Sequence, residues 1–504
     1  MIRHLILTSL FVSSAIADIT MPEVFADHMI LQRDNEVNVF GKASPNEKIT
    51  VSFSGKDVST ITGANGKWII KLPPMKASHR GQKLQIKGKN TIVINDILVG
   101  EVWHANGQSN MAWPLRAMKS LAAPYLEKAD NPKIRFYNRQ RQLTPKGIYA
   151  DKQLQQSKSK SIYTGGWEVG SKKSALNFSA VGYIFAQEMY RELKVPVAIL
   201  HTACGGTPTE AFISHEALQS NPRTKKLVDN WPYSKESQSG LGAAKCFKNV
   251  LEKGEKIIFG EFPYHHPWEP SILYETGIEP LIPYTIAGAI WYQGESNQMF
   301  PELHNILFPM MVNDWRKQWG IGDFPFYYVQ LPSVSRPTWP EFREGQRQSL
   351  AELNNIGMAV TIDTGDQKRP SNVHPADKMK VGERLAYLAI QNVFKKNKIL
   401  ATGPLIKRAI ASGSEIMITF DYSKGMQSSD GETLRYFEVA GSDGNYVPAT
   451  ALIRDDAITL SSTVQSPKSV RYAWHPFPIP RPNFCNALGH VASPFKVKVK
   501  ALEK

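Results

Sequence analysis

Four continuous apolar runs, Val195 to Leu200, Thr285 to Trp291, Phe324 to Leu331 and Gly357 to Ile362, constrain this chain more than any other feature. A strand that is apolar on both faces must be buried on both, which is the condition of the interior of a parallel sheet. Segments with apolar residues at helical spacing lie between or after them, at Ala180 to Leu193, Ile306 to Trp319 and Lys380 to Asn392. Alternation of strand and helix predicts an α/β region whose parallel sheet is covered by helices on both faces. A further short run, Ile97 to Val102, opens that region and ends in the polar, glycine-bearing turn Gly107-Gln-Ser-Asn.

The flanks follow another rhythm. Residues 18–95 hold short alternating stretches (Glu36 to Phe40, Lys48 to Phe53, Lys67 to Leu72, Lys83 to Lys87, Thr91 to Ile94), and the pair Asn65-Gly66 predicts a tight hairpin. Short strands with turn residues return over 402–504. The expected layout is therefore a β domain at 18–95, an α/β domain at 96–401 and a second β domain at 402–504. An irregular insertion at about 218–275 falls within the α/β domain. Residues 1–17 have a basic start, an apolar core and the small-x-small triplet Ala15-Ile16-Ala17, the pattern of a signal peptide cut after Ala17. Export to the periplasm or outside the cell is the expectation, with no membrane span.

Three cysteines, Cys204, Cys246 and Cys485, allow at most one disulfide, so disulfides do not hold the fold together. The net charge of +15 raises nucleic acid as a partner, but the lysines are dispersed, without the basic patch and interleaved aromatics that such binding needs.

Chemistry concentrates at the ends of the strands. Ser109 lies just past the first apolar run, where a hydroxyl can be exposed to a base. Gly205-Gly206 follows the run ending at Leu200 and leaves backbone amides open toward an oxyanion. Tyr292-Gln-Gly-Glu-Ser-Asn297 follows the next and offers the carboxamides of Gln293 and Asn297 beside the carboxylate of Glu295, at the strand end where open α/β sheets place ligands. After the last run come Asp363, Asp366 and His374. The imidazole is suited to take the serine proton, and an acid on its other nitrogen would stabilise the imidazolium.

Gly107-Gln-Ser-Asn-Met111, Gly205-Gly-Thr-Pro-Thr-Glu-Ala, Tyr292-Gln-Gly-Glu-Ser-Asn297 and His374-Pro-Ala-Asp-Lys, with Met21-Pro-Glu-Val-Phe near the start, together resemble the sialate O-acetylesterase family of the SGNH-hydrolase superfamily. The resemblance spans nearly the whole chain. It implies a flavodoxin-like three-layer catalytic domain flanked by β domains, and hydrolysis of O-acetyl esters of sialic acids or related sugars. No cofactor or metal is implied. Ser109 would be nucleophile and His374 base, with the Ser109 and Gly206 amides and the Gln293 side chain as oxyanion donors. Where the superfamily commonly has an Asp three residues before the His, this chain has Ser371. Asp366, slightly favoured over Asp363, is the candidate acid, and a Ser-His dyad without one is the alternative. Competing readings are an esterase of acetylated xylan or another polysaccharide, and a secreted carbohydrate-binding protein without catalysis. Oligomeric state is not legible.

Overall fold

The computed structural model describes residues 18–237, 239–395 and 401–501, so the expected signal peptide lies outside the described residues. Its central sheet contains β1 (Thr91–Gly107), β2 (Ile134–Asn138), β3 (Trp167–Val169), β4 (Val197–His201), β5 (Gly288–Tyr292), β6 (Phe326–Val329) and β7 (Ile356–Ala359). They lie side by side in the order β3-β2-β4-β1-β5-β6-β7. All neighbours are parallel except β3, which runs antiparallel to β2 at one edge.

The apolar runs are explained by what lies on either face. Trp103, Ala105, Ile199, Ile290, Tyr292 and Tyr327 pack with α1 (Ala180–Leu193) and with α4 (Met379–Asn392). Val102, Leu200, Trp291, Phe326 and Tyr328, which alternate with them, pack with α2 (Pro301–Trp319). Side chains alternate between the faces of a strand, and here both faces are dry, so hydrophobic alternation vanishes from the sequence. Among the described helices of 14 residues or more, one escaped the periodicity argument: α3 (Trp339–Glu352) carries charged and polar residues at many positions, yet Arg343, Glu344 and Gln346 among them are buried.

β1 crosses the expected domain boundary at 95/96 without interruption. Its first half pairs antiparallel with Ser78–Lys87, and its second half enters the parallel sheet between β4 and β5. The expected hairpin at Asn65-Gly66 does not form. The strand before it, Lys56–Ile61, pairs with Lys48–Phe53, whereas Lys67–Leu72 after it pairs with Val37–Lys42, so that turn is a corner between two sheets. Gly66 has φ +71° but Asn65 does not share the positive φ. The hairpin sits instead at Ser54-Gly55, where both residues have positive φ, 52° and 74°, as a tight two-residue turn demands.

C-terminal to the α/β region, Leu405–Ser412 through Lys500–Ala501 form small, mostly antiparallel sheets, with Lys500–Ala501 parallel to Leu405–Ser412. Residues 218–275 fold into short helices around an aromatic cluster that includes Trp231, Phe247, Phe262 and Trp268. All three cysteines are free and buried. No described helix is long and apolar enough to cross a membrane.

Candidate active site

The loops at the C-terminal ends of β1, β4 and β5 are laced together by backbone. Gly107 pairs in register with Tyr292, and a Cβ on it would lie 2.2 Å from the Tyr292 carbonyl oxygen. With φ at +135° as well, this position accepts only glycine. The amide of Cys204 donates to the Gly107 carbonyl at 3.0 Å, the Gln108 amide to the Tyr292 carbonyl at 3.0 Å, and the Ser296 hydroxyl to the Gly206 carbonyl at 3.0 Å. Ser109 emerges from this junction half-buried at the start of the single turn Ser109–Ala112.

His374 arrives from the other end of the sheet. Its Nε2 lies 2.8 Å from the Ser109 Oγ, a distance of ordinary hydrogen bonding between residues 265 positions apart. Its ring stacks on Trp113, with centroids 5.1 Å apart and planes at 19°. Burial, together with the positive charges of Lys378 and Lys146, holds the imidazole below its ordinary pKa. It is therefore neutral, and able to accept a proton, at neutral pH.

Neither candidate carboxylate reaches the ring. Asp363 is buried and engaged by Arg384 at 2.7 and 2.9 Å and by Lys380 at 2.8 Å. Despite the opposing effect of burial, these cations hold its carboxyl far below the usual range. Asp366 accepts from the Asn372 side chain at 2.9 Å, from Arg369, and from the Lys368 amide. Asn372 in turn brackets His374 through the backbone, accepting from its amide at 3.0 Å and donating to its carbonyl at 3.1 Å. Asp366 thus acts on the peptide of His374 rather than on its imidazole. Among the described residues, no carboxylate hydrogen-bonds to that ring.

Gly206 has φ +78°, and the indole of Trp268 lies 2.8 Å from where its Cβ would be. The insertion thus abuts the glycine turn through one tryptophan. Gln293 is fully buried, and both of its amide hydrogens are engaged within the protein, by the Thr207 carbonyl at 3.2 Å and Asn297 Oδ1 at 2.6 Å. It therefore acts as a strut for the 206–209 turn, not as a free oxyanion donor. Asn297 belongs to the same strut, accepting from the Thr209 amide at 2.9 Å and donating to Glu210 at 3.0 Å. Burial raises the Glu210 carboxyl to about 7, despite the Asn297 hydrogen bond. Glu295 accepts from Asn110 through one oxygen, while the other is buried without a partner. Burial raises its pKa too. Trp103 and Trp291 are fully buried core residues, whereas Trp113 stacks on His374 and Trp268 packs against Gly206. Reading the sequence missed the contributions of Asn110 and Lys378. Both stand inside the motifs already noted, but nothing in their spacing reveals that they touch. No three His, Cys, Asp or Glu side chains among the described residues are grouped to hold a metal.

A serine hydroxyl on an imidazole, at the C-terminal edge of a parallel sheet and flanked by a glycine turn, is the constellation of a serine-type ester hydrolase. Residues 268–391 match the family described as carbohydrate esterase, sialic acid-specific acetylesterase. A sialate O-acetylesterase of Mus musculus is 25% identical over 90% of this chain and 88% of its own length. The Homo sapiens counterpart is 24% identical over 89% and 86%. A crystal structure of a carbohydrate acetylesterase from Xanthomonas citri is 30% identical, with a TM-score of 0.75, covering 95% of this chain and 99% of that one. The chain belongs to the sialate O-acetylesterase family of carbohydrate esterases.

Proposed function

We propose that this enzyme removes O-acetyl groups from sialic acids or related acetylated sugars with Ser109 as nucleophile and His374 as general base, in a dyad whose imidazole carries no carboxylate. The 2.8 Å contact between Ser109 Oγ and His374 Nε2 is the observation that carries this reading. As Ser109 Oγ bonds to the acetyl carbon, His374 Nε2 takes its proton. The tetrahedral intermediate then expels the sugar oxygen, to which His374 returns the proton, leaving acetyl-serine. Water, deprotonated by the same nitrogen, attacks that ester and releases acetate.

The oxyanion would be met by the amides of Ser109 and Gly206, neither of which donates to another group of the protein among the described residues. Each such donor is worth roughly 3 kcal/mol of barrier. Gln293, Glu295 and Asn297 serve by fixing the loops that present these amides. The α/β region is read as a flavodoxin-like three-layer SGNH domain over about 96–401, with β domains over 18–95 and 402–504. Two faces of one parallel sheet covered by separate helices support that reading. Export by the 1–17 segment suits an enzyme acting on glycans outside the cytoplasm.

Because the Xanthomonas citri relative is described only as a carbohydrate acetylesterase, the substrate panel must reach beyond sialic acids. Acetate release is to be measured from O-acetylated sialic acid, acetylated xylan and simple acetylated hexoses. Wild-type turnover on the first that exceeds the others, with Ser109→Ala near the uncatalysed rate, is the expected result. An undiminished Ser109→Ala enzyme would remove Ser109 from the mechanism. Preference for xylan would move the substrate while leaving the chemistry in place.

A further inference from the structure

With no carboxylate on its ring, His374 requires another means of orientation, and one buried cluster touches both halves of the Ser109–His374 pair. Asn110 follows Ser109 in the chain and is fully buried. Its Nδ2 donates at 2.8 Å to the carbonyl of Val373, the residue before the imidazole, and also to Glu295. Its Oδ1 accepts from Nζ of Lys378 at 2.5 Å. Lys378 is only 1% exposed, and its ammonium stands 5.8 Å from the ring centroid of Trp113 and 5.5 Å from that of Tyr292. Trp113 is the ring on which His374 stacks. A buried lysine is costly, and burial pulls the Lys378 pKa down to about 7, so Lys378 is a full cation over the acid range in which the imidazole titrates. The charges that bear on it are Glu295 and Asp377; on the imidazole they are Lys378 itself and Lys146.

We propose that Lys378, acting through Asn110 and the Trp113 ring, is the positioning residue that holds His374 against Ser109, taking the orienting but not the charge-stabilising part of what a carboxylate does in a Ser-His-Asp triad. The proposal rests on the reading of Ser109 and His374 as nucleophile and base. Its geometric part is that one carboxamide ties the nucleophile's turn to the base's loop, so the two cannot separate without breaking buried hydrogen bonds. Its electrostatic part is opposite in sign to that of a triad acid. A cation beside the imidazole disfavours a second cation, so His374 stays deprotonated to lower pH than it would without Lys378.

Removing the charge with Lys378→Met should let His374 take up its proton more readily and move the acid limb of kcat/KM to higher pH. The test measures hydrolysis of 4-nitrophenyl acetate against pH for wild type, Lys378→Met and Lys378→Arg. In parallel, the His374 ring is titrated by NMR in wild type, in Lys378→Gln and in Ser109→Ala. Lys378→Met is expected to lose roughly tenfold or more in kcat with KM little changed. Its acid limb should rise by about 0.5 in pH or more. Lys378→Arg should restore part of both. Wild-type kcat in Lys378→Met, or a fall in kcat with the limb unmoved, would overturn the proposal, the latter outcome indicating a purely structural residue. If Lys378→Met does not fold, Lys378→Gln, which keeps a donor for Asn110 without the charge, decides: a His374 ring titrating at higher pH than in wild type supports the proposal, and one titrating as in wild type overturns it. Activity surviving in Ser109→Ala would instead defeat the nucleophile assignment, while the ring titration would still report on Lys378.

Discussion

At Gly107 and Gly206 the backbone itself is the packed surface: one faces the Tyr292 carbonyl, the other the Trp268 indole, and neither leaves room for a Cβ. Around His374 the construction is the reverse. Asp363 and Arg384 form a buried ion pair joined by the half-exposed Lys380, Asp366 and Arg369 a more exposed one, and Asn372 and Asn110 bracket the loop with carboxamides. The nucleophile is thus placed by steric exclusion and ladder hydrogen bonds, and the base by charge and side-chain hydrogen bonds. Steric placement tolerates almost no substitution but is indifferent to pH. Placement by charge tolerates isosteres but must weaken as its carboxylates are protonated.

The largest effect expected lies where the two regions meet. His374→Ala should lower kcat by about 10³-fold or more with folding intact, measured by acetate release and circular dichroism. Next comes the steric side. Gly107→Ala adds a Cβ 2.2 Å from a backbone oxygen in a conformation that L residues rarely adopt. We expect it to cost roughly 3–5 kcal/mol in urea unfolding and to abolish activity together with stability. A stable, active Gly107→Ala would break the comparison.

Asp363→Asn tests the charged side. Leaving Arg384 buried without its carboxylate should cost about 3 kcal/mol at neutral pH. Because the folded state depresses the Asp363 pKa, its contribution is present above the unfolded value of about 3.9 and fades as pH falls through the folded one. The stability gap between wild type and Asp363→Asn should therefore stay level from pH 7 to about pH 4 and narrow below that, whereas the gap for Gly107→Ala should not narrow.

The same contrast explains what was legible in the sequence. Long apolar runs report burial on two faces, so β4 to β7 could be read from composition alone, and Ser109 and His374 followed from their places after the first and last strands. α3 could not, because Arg343 and Gln346 are buried by contacts to backbone carbonyls of β6 and the C-terminal region, which periodicity does not register. Asn65-Gly66 has the composition of a hairpin, but its flanking strands found partners in different sheets, a tertiary outcome that overrides turn preference. The candidate acids engage other partners for a related reason. Proximity in sequence made Asp363 and Asp366 the candidates, but the cations that claim them come from the helix after His374 and from the loop itself. Gln293 likewise carries the right donor group, and only the fold reveals that Thr207 and Asn297 already occupy it.

The smallest expected effect is the most discriminating. Asp366 meets His374 only through Asn372, and an asparagine at 366 keeps one acceptor oxygen, enough for the Lys368 amide or the Asn372 side chain but not both, while losing the charge that draws Arg369. Asp366→Asn should accordingly lower kcat by less than about tenfold, with the acid limb little moved, since the group shifts a peptide and not a ring. Were Asp366 the acid of a triad, the same substitution would misorient the imidazole tautomer and cost roughly 10⁴-fold. Steady-state kinetics on one acetylated substrate separates these outcomes by three orders of magnitude. A large loss would mean that the loop rearranges in the working enzyme to bring that carboxylate onto the imidazole, and the division between a sterically placed nucleophile and a charge-placed base would have to include a triad after all.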